Sequence, residues 1–153
     1  MNMTKSKMRV TYAIVAAALG LALSSSFITS ALAASPHFVG TPTCTTDNPP
    51  GSTSRTLTCT GKIAGLGNVS TATVFLTADV TTQCTNRGGT NPPGHIHVTG
   101  PRETFEVNNG QIVFSATLPA SADCPPGQTG SVGTFSNVAV HVDSAVLPIR
   151  GTF

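Results

Sequence analysis

"TATVFLTADVT", residues 71–81, decides the fold. Ala72, Val74, Leu76, Ala78 and Val80 fall on one parity, and Thr71, Thr73, Thr77, Asp79 and Thr81 on the other, with Phe75 the exception. Successive side chains of a strand point to opposite faces, so this alternation predicts a strand with one dry face and one wet face. Upstream, "TLTCTGKI" (56–63) repeats the pattern. Leu57, Cys59 and Ile63 point one way, and Thr56, Thr58, Thr60 and Lys62 the other. No segment beyond residue 34 carries a convincing helical period.

Turn chemistry links such strands into hairpins. In "ETFEVNNGQIVFSA" (103–116), Asn109-Gly110 tolerates the positive φ of a type I′ turn. Folding there sets Val107 opposite Ile112 and Phe105 opposite Phe114. "VAVHVDSAVLPI" (138–149) folds about Asp143-Ser144, so that Val140 meets Leu147 and Val138 meets Ile149. Pro148 has no N–H to give a ladder, which predicts an edge position for the last strand. Three Pro-Pro-Gly turns, at 49–51, 92–94 and 125–127, punctuate the chain. Each follows a cysteine, but the flanking strands do not match, so the turns are a reused device rather than a repeat.

The N-terminal segment reads as an address label. Lys5, Lys7 and Arg9 precede an apolar run from about residue 10 to 28, and Ala31-Leu32-Ala33 has the small-x-small pattern of a signal peptidase site. Residues 1–34 are therefore expected to be removed, leaving one secreted domain at 35–153. Gly20, the serines at 24–26 and the cleavage pattern argue against a membrane anchor. No cysteine follows the cleavage site, and "LPIRG" (147–151) lacks the threonine and apolar tail of a wall-sorting signal.

Removing Lys5, Lys7 and Arg9 from the eight basic residues leaves five against six acidic ones. No basic patch remains for nucleic acid or an anionic membrane surface. The one tyrosine, Tyr12, lies in the leader, and the chain has no tryptophan. That disfavours a sugar-binding module built on aromatic platforms.

Cys44, Cys59, Cys84 and Cys124 have no C-x₂-C spacing. In an exported chain they read as two disulfides. Of the three pairings, Cys44–Cys59 with Cys84–Cys124 is the one expected. The first closes a local hairpin. The second joins the ends of strands 71–82 and 111–119, which meet if residues 95–107 form one long, bent strand. Seven or eight short strands between Gly- and Pro-rich turns then predict an all-β fold, a single antiparallel sandwich of immunoglobulin-like type.

"GKIAGLGN" (61–68), "CTNRGG" (84–89), the Pro-Pro-Gly that follows and the terminal "GTF" (151–153) resemble a group of small secreted bacterial β-sandwich proteins. The resemblance spans roughly residues 55–153. It implies export and the β fold; the group carries no assigned activity.

Chemistry is concentrated in "CTNRGGTNPPGHIHVTG" (84–100). His95, His97 and Thr99 share the wet face of a strand, with the two histidine Cα atoms about 6.6 Å apart, a spacing at which two imidazoles can converge on zinc or copper(II). His141 and Asp143 have the same spacing. Were their strands neighbours, His95, His97, His141 and Asp143 could form a four-ligand site. An ordinary wet strand face explains the same pattern, and no cofactor is expected. His37 makes no N-terminal copper chelate, because Pro36 lacks the amide N–H that such a chelate deprotonates.

No G-x-S-x-G elbow or H-E-x-x-H is present, and Gly65-Leu66-Gly67 does not continue as a phosphate loop. No enzymatic activity is expected. "NPPGH" (91–95) faintly resembles the Asn-Pro-Thr-Thr-Gly-aromatic loop of a family of bacterial cysteine-protease inhibitors, without its threonines or its aromatic residue. The expectation is a secreted binding or surface-interaction protein with an extracellular or cell-wall partner, zinc or copper binding and protease inhibition being the alternatives. Its candidate binding loops are 85–94, with Asn86, Arg87, Asn91, Pro92 and Pro93, and 125–131, with Pro125 and Pro126.

Overall fold

A computed structural model describes residues 35–86, 88–90 and 93–153; the expected leader and Arg87, Asn91 and Pro92 lie outside the described residues. The strands run in chain order as β1 (His37–Phe38), β2 (Thr43–Thr46), β3 (Ser54–Ala64), β4 (Thr71–Asn86), β5 (Gly89–Thr90), β6 (Gly94–Thr99), β7 (Glu103–Glu106), β8 (Gln111–Ser121), β9 (Thr129–Val142) and β10 (Ala145–Pro148).

They form two antiparallel sheets. In the first, β3 is central, with β8 on one side and β1 and β2 sharing the other. In the second the order is β10, β9, β4, and β5, β6 and β7 together line the far side of β4. Ten segments thus fill seven strand positions among the described residues.

The alternation in residues 71–81 is what closes the core. Val74, Leu76, Ala78 and Val80 on β4 are fully buried. They belong to one apolar cluster with Leu57, Cys59 and Ile63 of β3, Phe114 and Leu118 of β8, and Val138, Val140 and Val142 of β9. Inward faces of both sheets therefore share one core.

The long bent strand expected over 95–107 appears as β6 and β7, which pair in succession with β4, with β5 pairing ahead of them. Thr85 lies opposite Thr90, Thr82 opposite Gly94, Thr77 opposite Thr99 and Val74 opposite Glu103. The register with β4 shifts by one residue between Thr90 and Gly94 and again between Thr99 and Glu103, where one extra residue bends the strand at 100–102. Gly100 is required at the second shift, since a Cβ there would lie 2.3 Å from the Thr117 carbonyl oxygen of the other sheet.

The two hairpins fare differently. β9 and β10 pair as expected, with Val140 opposite Leu147, and Ile149 N–H donates to Val138 O at 2.8 Å. The last strand is at an edge. Asn109 (φ 52°) and Gly110 (φ 70°) do form the expected turn, closed by paired bonds between Asn108 and Gln111. The register beyond it is corrected. Phe105 lies opposite Ala72 and Phe114 opposite Gly61, because the chain leaves one sheet and enters the other at this turn. Both phenylalanines still meet the core, which is why the apolar pattern looked like a hairpin.

Both disulfides pair as expected. Cys44–Cys59 joins directly opposed residues of β2 and β3, with Cα atoms 4.1 Å apart, and Cys84–Cys124 ties the end of β4 to the segment after β8, with Cα atoms 5.8 Å apart. Two structural disulfides point to a non-cytoplasmic protein. No described helix is long and apolar enough to cross a membrane.

Candidate functional site

The wet face of the second sheet is shaped by two irregularities in β9. Opposite Ala78 the strand sets two residues, Asn137 and Val138, and opposite Thr81 it sets Gly133 and Thr134. Such bulges re-aim side chains. At the first, Asn137 adopts φ 50°, and its Nδ2 donates to Asp79 Oδ2 at 2.8 Å. The other carboxylate oxygen, Oδ1, lies 2.8 Å from Nδ1 of His97, directly across on β6. The Asn137 amide, the bond to His97 and the charges of His97 and His95 hold the Asp79 carboxyl below its ordinary value. At the second bulge, Thr134 N–H donates to Thr81 Oγ1 at 2.8 Å. His95 lies opposite Thr81 and is exposed.

The four-ligand set is not assembled. β6 and β9 flank β4 from opposite sides, so His141 is paired with Phe75 and His97 with Asp79, four residues further along β4. His141 stacks on Phe75 at 4.5 Å between centroids and places Nε2 3.0 Å from Thr77 Oγ1. Arg102 lies 4.1 Å over the same Phe75 ring. This contact explains the one residue that broke the alternation: Phe75 is on the wet face but covered. Burial, and then the positive charges of Arg102 and His97, push His141 below its ordinary value. Asp143 caps the neighbouring turn, its Oδ1 accepting the Thr73 N–H at 3.0 Å. Among the described residues no three His, Cys, Asp or Glu side chains converge as metal ligands.

A second constellation occupies one end of the molecule. In Pro49–Ser52 and Pro125–Gln128 the fourth N–H donates to the first carbonyl, at 3.3 and 3.2 Å. Gly51 (φ 96°) and Gly127 (φ 84°) take the positive φ of a type II turn, with proline before them. Gly51 N–H and Val132 N–H then exchange bonds of 2.8 and 2.7 Å with Val132 O and Ser52 O. Val132 lies opposite Thr82, and Thr82 opposite Gly94. Ser52, Val132, Thr82 and Gly94 therefore run side by side, which brings turn 49–52 and the Pro93–Gly94 segment to the same end. The third joins them through Cys84–Cys124 and the pairing of Thr85 with Thr129.

Between the turns lies a cleft of 170 Å³ lined by Gly51, Thr81, Thr82, Gln83, Pro93, Ser131 and Gly133. Of the expected loops 85–94 and 125–131, the described parts come together where Thr85 pairs with Thr129. Asn86 sits at the end of β4, where its Oδ1 accepts the Gly88 N–H at 2.9 Å, and Pro93 walls the cleft. Pro125 and Pro126 form the third turn. Turn 49–52, which sequence reasoning left out of the site, is as much a part of it.

Also missed was Arg55, 2 % exposed. Its Nε donates to Asn48 O at 2.8 Å, Nη2 to Thr46 Oγ1 at 2.8 Å and Nη1 to the carbonyl of Gly133. It fastens the segment before turn 49–52 to the second bulge of β9. No protein-family model, curated protein or solved structure matches the chain.

Proposed function

We propose that this chain is a secreted, non-catalytic β-sandwich that binds an extracellular or cell-wall partner through the end bearing its Pro-Pro-Gly turns. The observation that carries this reading is the meeting at one end of turns 49–52 and 125–128 with the Pro93–Gly94 segment, beside a small cleft walled by Gly51, Pro93 and Ser131. Proline turns with fixed φ, stapled by a disulfide and by the Ser52–Val132 bonds, are already ordered before contact. Binding through them loses little conformational entropy. The export pattern of residues 1–34 and the two disulfides support an extracellular setting.

The strand order supports an immunoglobulin-like assignment. Seven positions divide as three and four, with the fourth position paired to the third rather than left on the first sheet as in constant-type domains. In such folds the inter-strand loops gather at the two ends, and here one end is the proline-rich one. The chain lacks tryptophan, and its two disulfides lie within one sheet and at the turn end, so it departs from the antibody pattern in its core.

Sedimentation with isolated cell envelopes of the producing cells tests the reading. The oxidised 35–153 protein should co-sediment saturably, and a variant with Pro49, Pro50, Pro125 and Pro126 replaced by alanine should lose at least tenfold in affinity while keeping its circular dichroism spectrum. Absence of binding by the parent protein, or undiminished binding by the folded variant, would sink it.

A further inference from the structure

We infer that His95 and His97 on β6 form a copper(II) site, with Asp79 as the outer partner that orients His97. This is independent of the turn-end reading. Three features of the wet sheet face carry it.

First, the tautomer of His97 is fixed. A carboxylate oxygen only accepts, so the 2.8 Å contact to Asp79 Oδ1 places the ring proton on Nδ1. In the neutral ring Nε2 is then the lone-pair nitrogen, on a side chain that is 62 % exposed. Metal-binding histidines are held in this way, with the far ring nitrogen donating to a carboxylate that orients the ring and raises its basicity.

Second, Asp79 is itself held on both oxygens. Asn137 leaves the regular β conformation (φ 50°) at a bulge and delivers its amide to Oδ2 at 2.8 Å. The carboxylate is thus held on both oxygens, which fixes the partner of His97 more firmly than a lone surface pair would.

Third, His95 lies two residues from His97 on the same face of an edge segment, opposite Thr81, and is exposed. Among the described residues no strand covers β6 on its far side, so both imidazoles meet solvent. Two cis imidazoles with the other positions open to water or to an exogenous donor suit tetragonal copper(II), which also heads the divalent affinity order. Zinc, which prefers four protein donors in a structural site, suits it less. His141 takes no part, being engaged with Thr77 and Phe75.

The test is a copper(II) titration of the untagged, oxidised 35–153 protein in a weakly chelating buffer. It is read by calorimetry and by electron paramagnetic resonance. One ion per chain with nitrogen hyperfine structure from two imidazoles is expected, unchanged in H141A and H37A. H95A and H97A should each weaken binding at least tenfold. D79A should weaken it by about tenfold, the usual loss on removing an outer partner. His37, His95 and His97 are exposed and Asp79 and His141 half-buried, and circular dichroism confirms folding of each variant. No stoichiometric binding, or binding retained in H97A, overturns the site. Full binding in D79A overturns the role of Asp79 and leaves only adventitious binding to an exposed histidine pair.

Discussion

Arg55 is buried, yet no carboxylate among the described residues pairs with it. A guanidinium is costly to bury unless its donors are satisfied. Here two backbone carbonyls and a threonine hydroxyl satisfy three of them, and the Phe135 ring lies 5.5 Å from its carbon. Arg55→Met would keep the stem and remove the fork, leaving the Asn48 and Gly133 carbonyls short of a donor. We expect a loss of about 2–4 kcal/mol in urea unfolding. A loss near zero would show that water replaces the guanidinium without cost. The alternation gave a clue to its position, since Arg55 shares parity with Leu57 and Cys59, but pattern alone assigns no partner to a charge on a dry face. Leu66 teaches the same lesson. Its flanking glycines were recognised as no phosphate loop; their purpose emerges only in three dimensions. Gly65 (φ 81°) and Gly67 (φ 70°) let the chain turn Leu66 into the core, 3 % exposed, and a Cβ on Gly65 would lie 2.2 Å from Ser35 O.

Elements that depend on near neighbours were legible, and those that depend on distant ones were not. The β9–β10 hairpin and both disulfides follow from local turn chemistry and strand ends. The Asn109-Gly110 turn was equally local, but whether its strands stay in one sheet depends on which surfaces β4 and β3 offer. The β9 bulges have no simple signal: an asparagine such as Asn137 tolerates positive φ in many places. The disulfides differ in consequence. Cys44–Cys59 links strands already joined by a ladder, at a sequence separation of 15. Cys84–Cys124 spans 40 residues and ties the end of β4 to turn 125–128 of the proposed binding end. In the chain-entropy description, replacing the first pair by alanine costs about 3 kcal/mol and the second about 4. Only the second should also weaken envelope binding, by at least tenfold. Equal binding losses in the two variants, measured alongside their unfolding curves, would mean that global stability rather than the turn end governs binding.

For the whole molecule, the distribution of proline restrains edge-to-edge association. Pro36 and Pro42 flank β1 and β2, Pro93 and Pro101 interrupt the β5–β7 edge, Pro119 lies in β8 and Pro148 in β10. The central strands β3, β4 and β9 contain none. Missing N–H groups at sheet margins blunt the pairing of one copy with another. Stability should also depend on pH in two steps. His141 is held below its ordinary 6.5, first by burial and then by Arg102 and His97. The unfolded chain therefore takes up a proton more readily there, and stability is full above about pH 6.5 and falls as pH drops below it. Asp79 and Asp47 are held below their ordinary 3.8 by the bonds they accept, mainly from Asn137 and from the Thr56 backbone. Their contribution is present above that value and lost as pH falls through their lowered ones. Melting temperatures between pH 3 and pH 8 should show both steps, and His141→Gln should abolish the upper one. An upper step unchanged in that variant would assign it to another histidine.

The central claim, that the proline-turn end is the binding surface, is tested most directly by amide hydrogen exchange of the oxidised protein with and without saturating envelope material. The account predicts new protection within 49–52, 85–94 and 125–131, and none on β8 or β10. Protection confined to those far edges, with the turns exchanging as in the free protein, would contradict it.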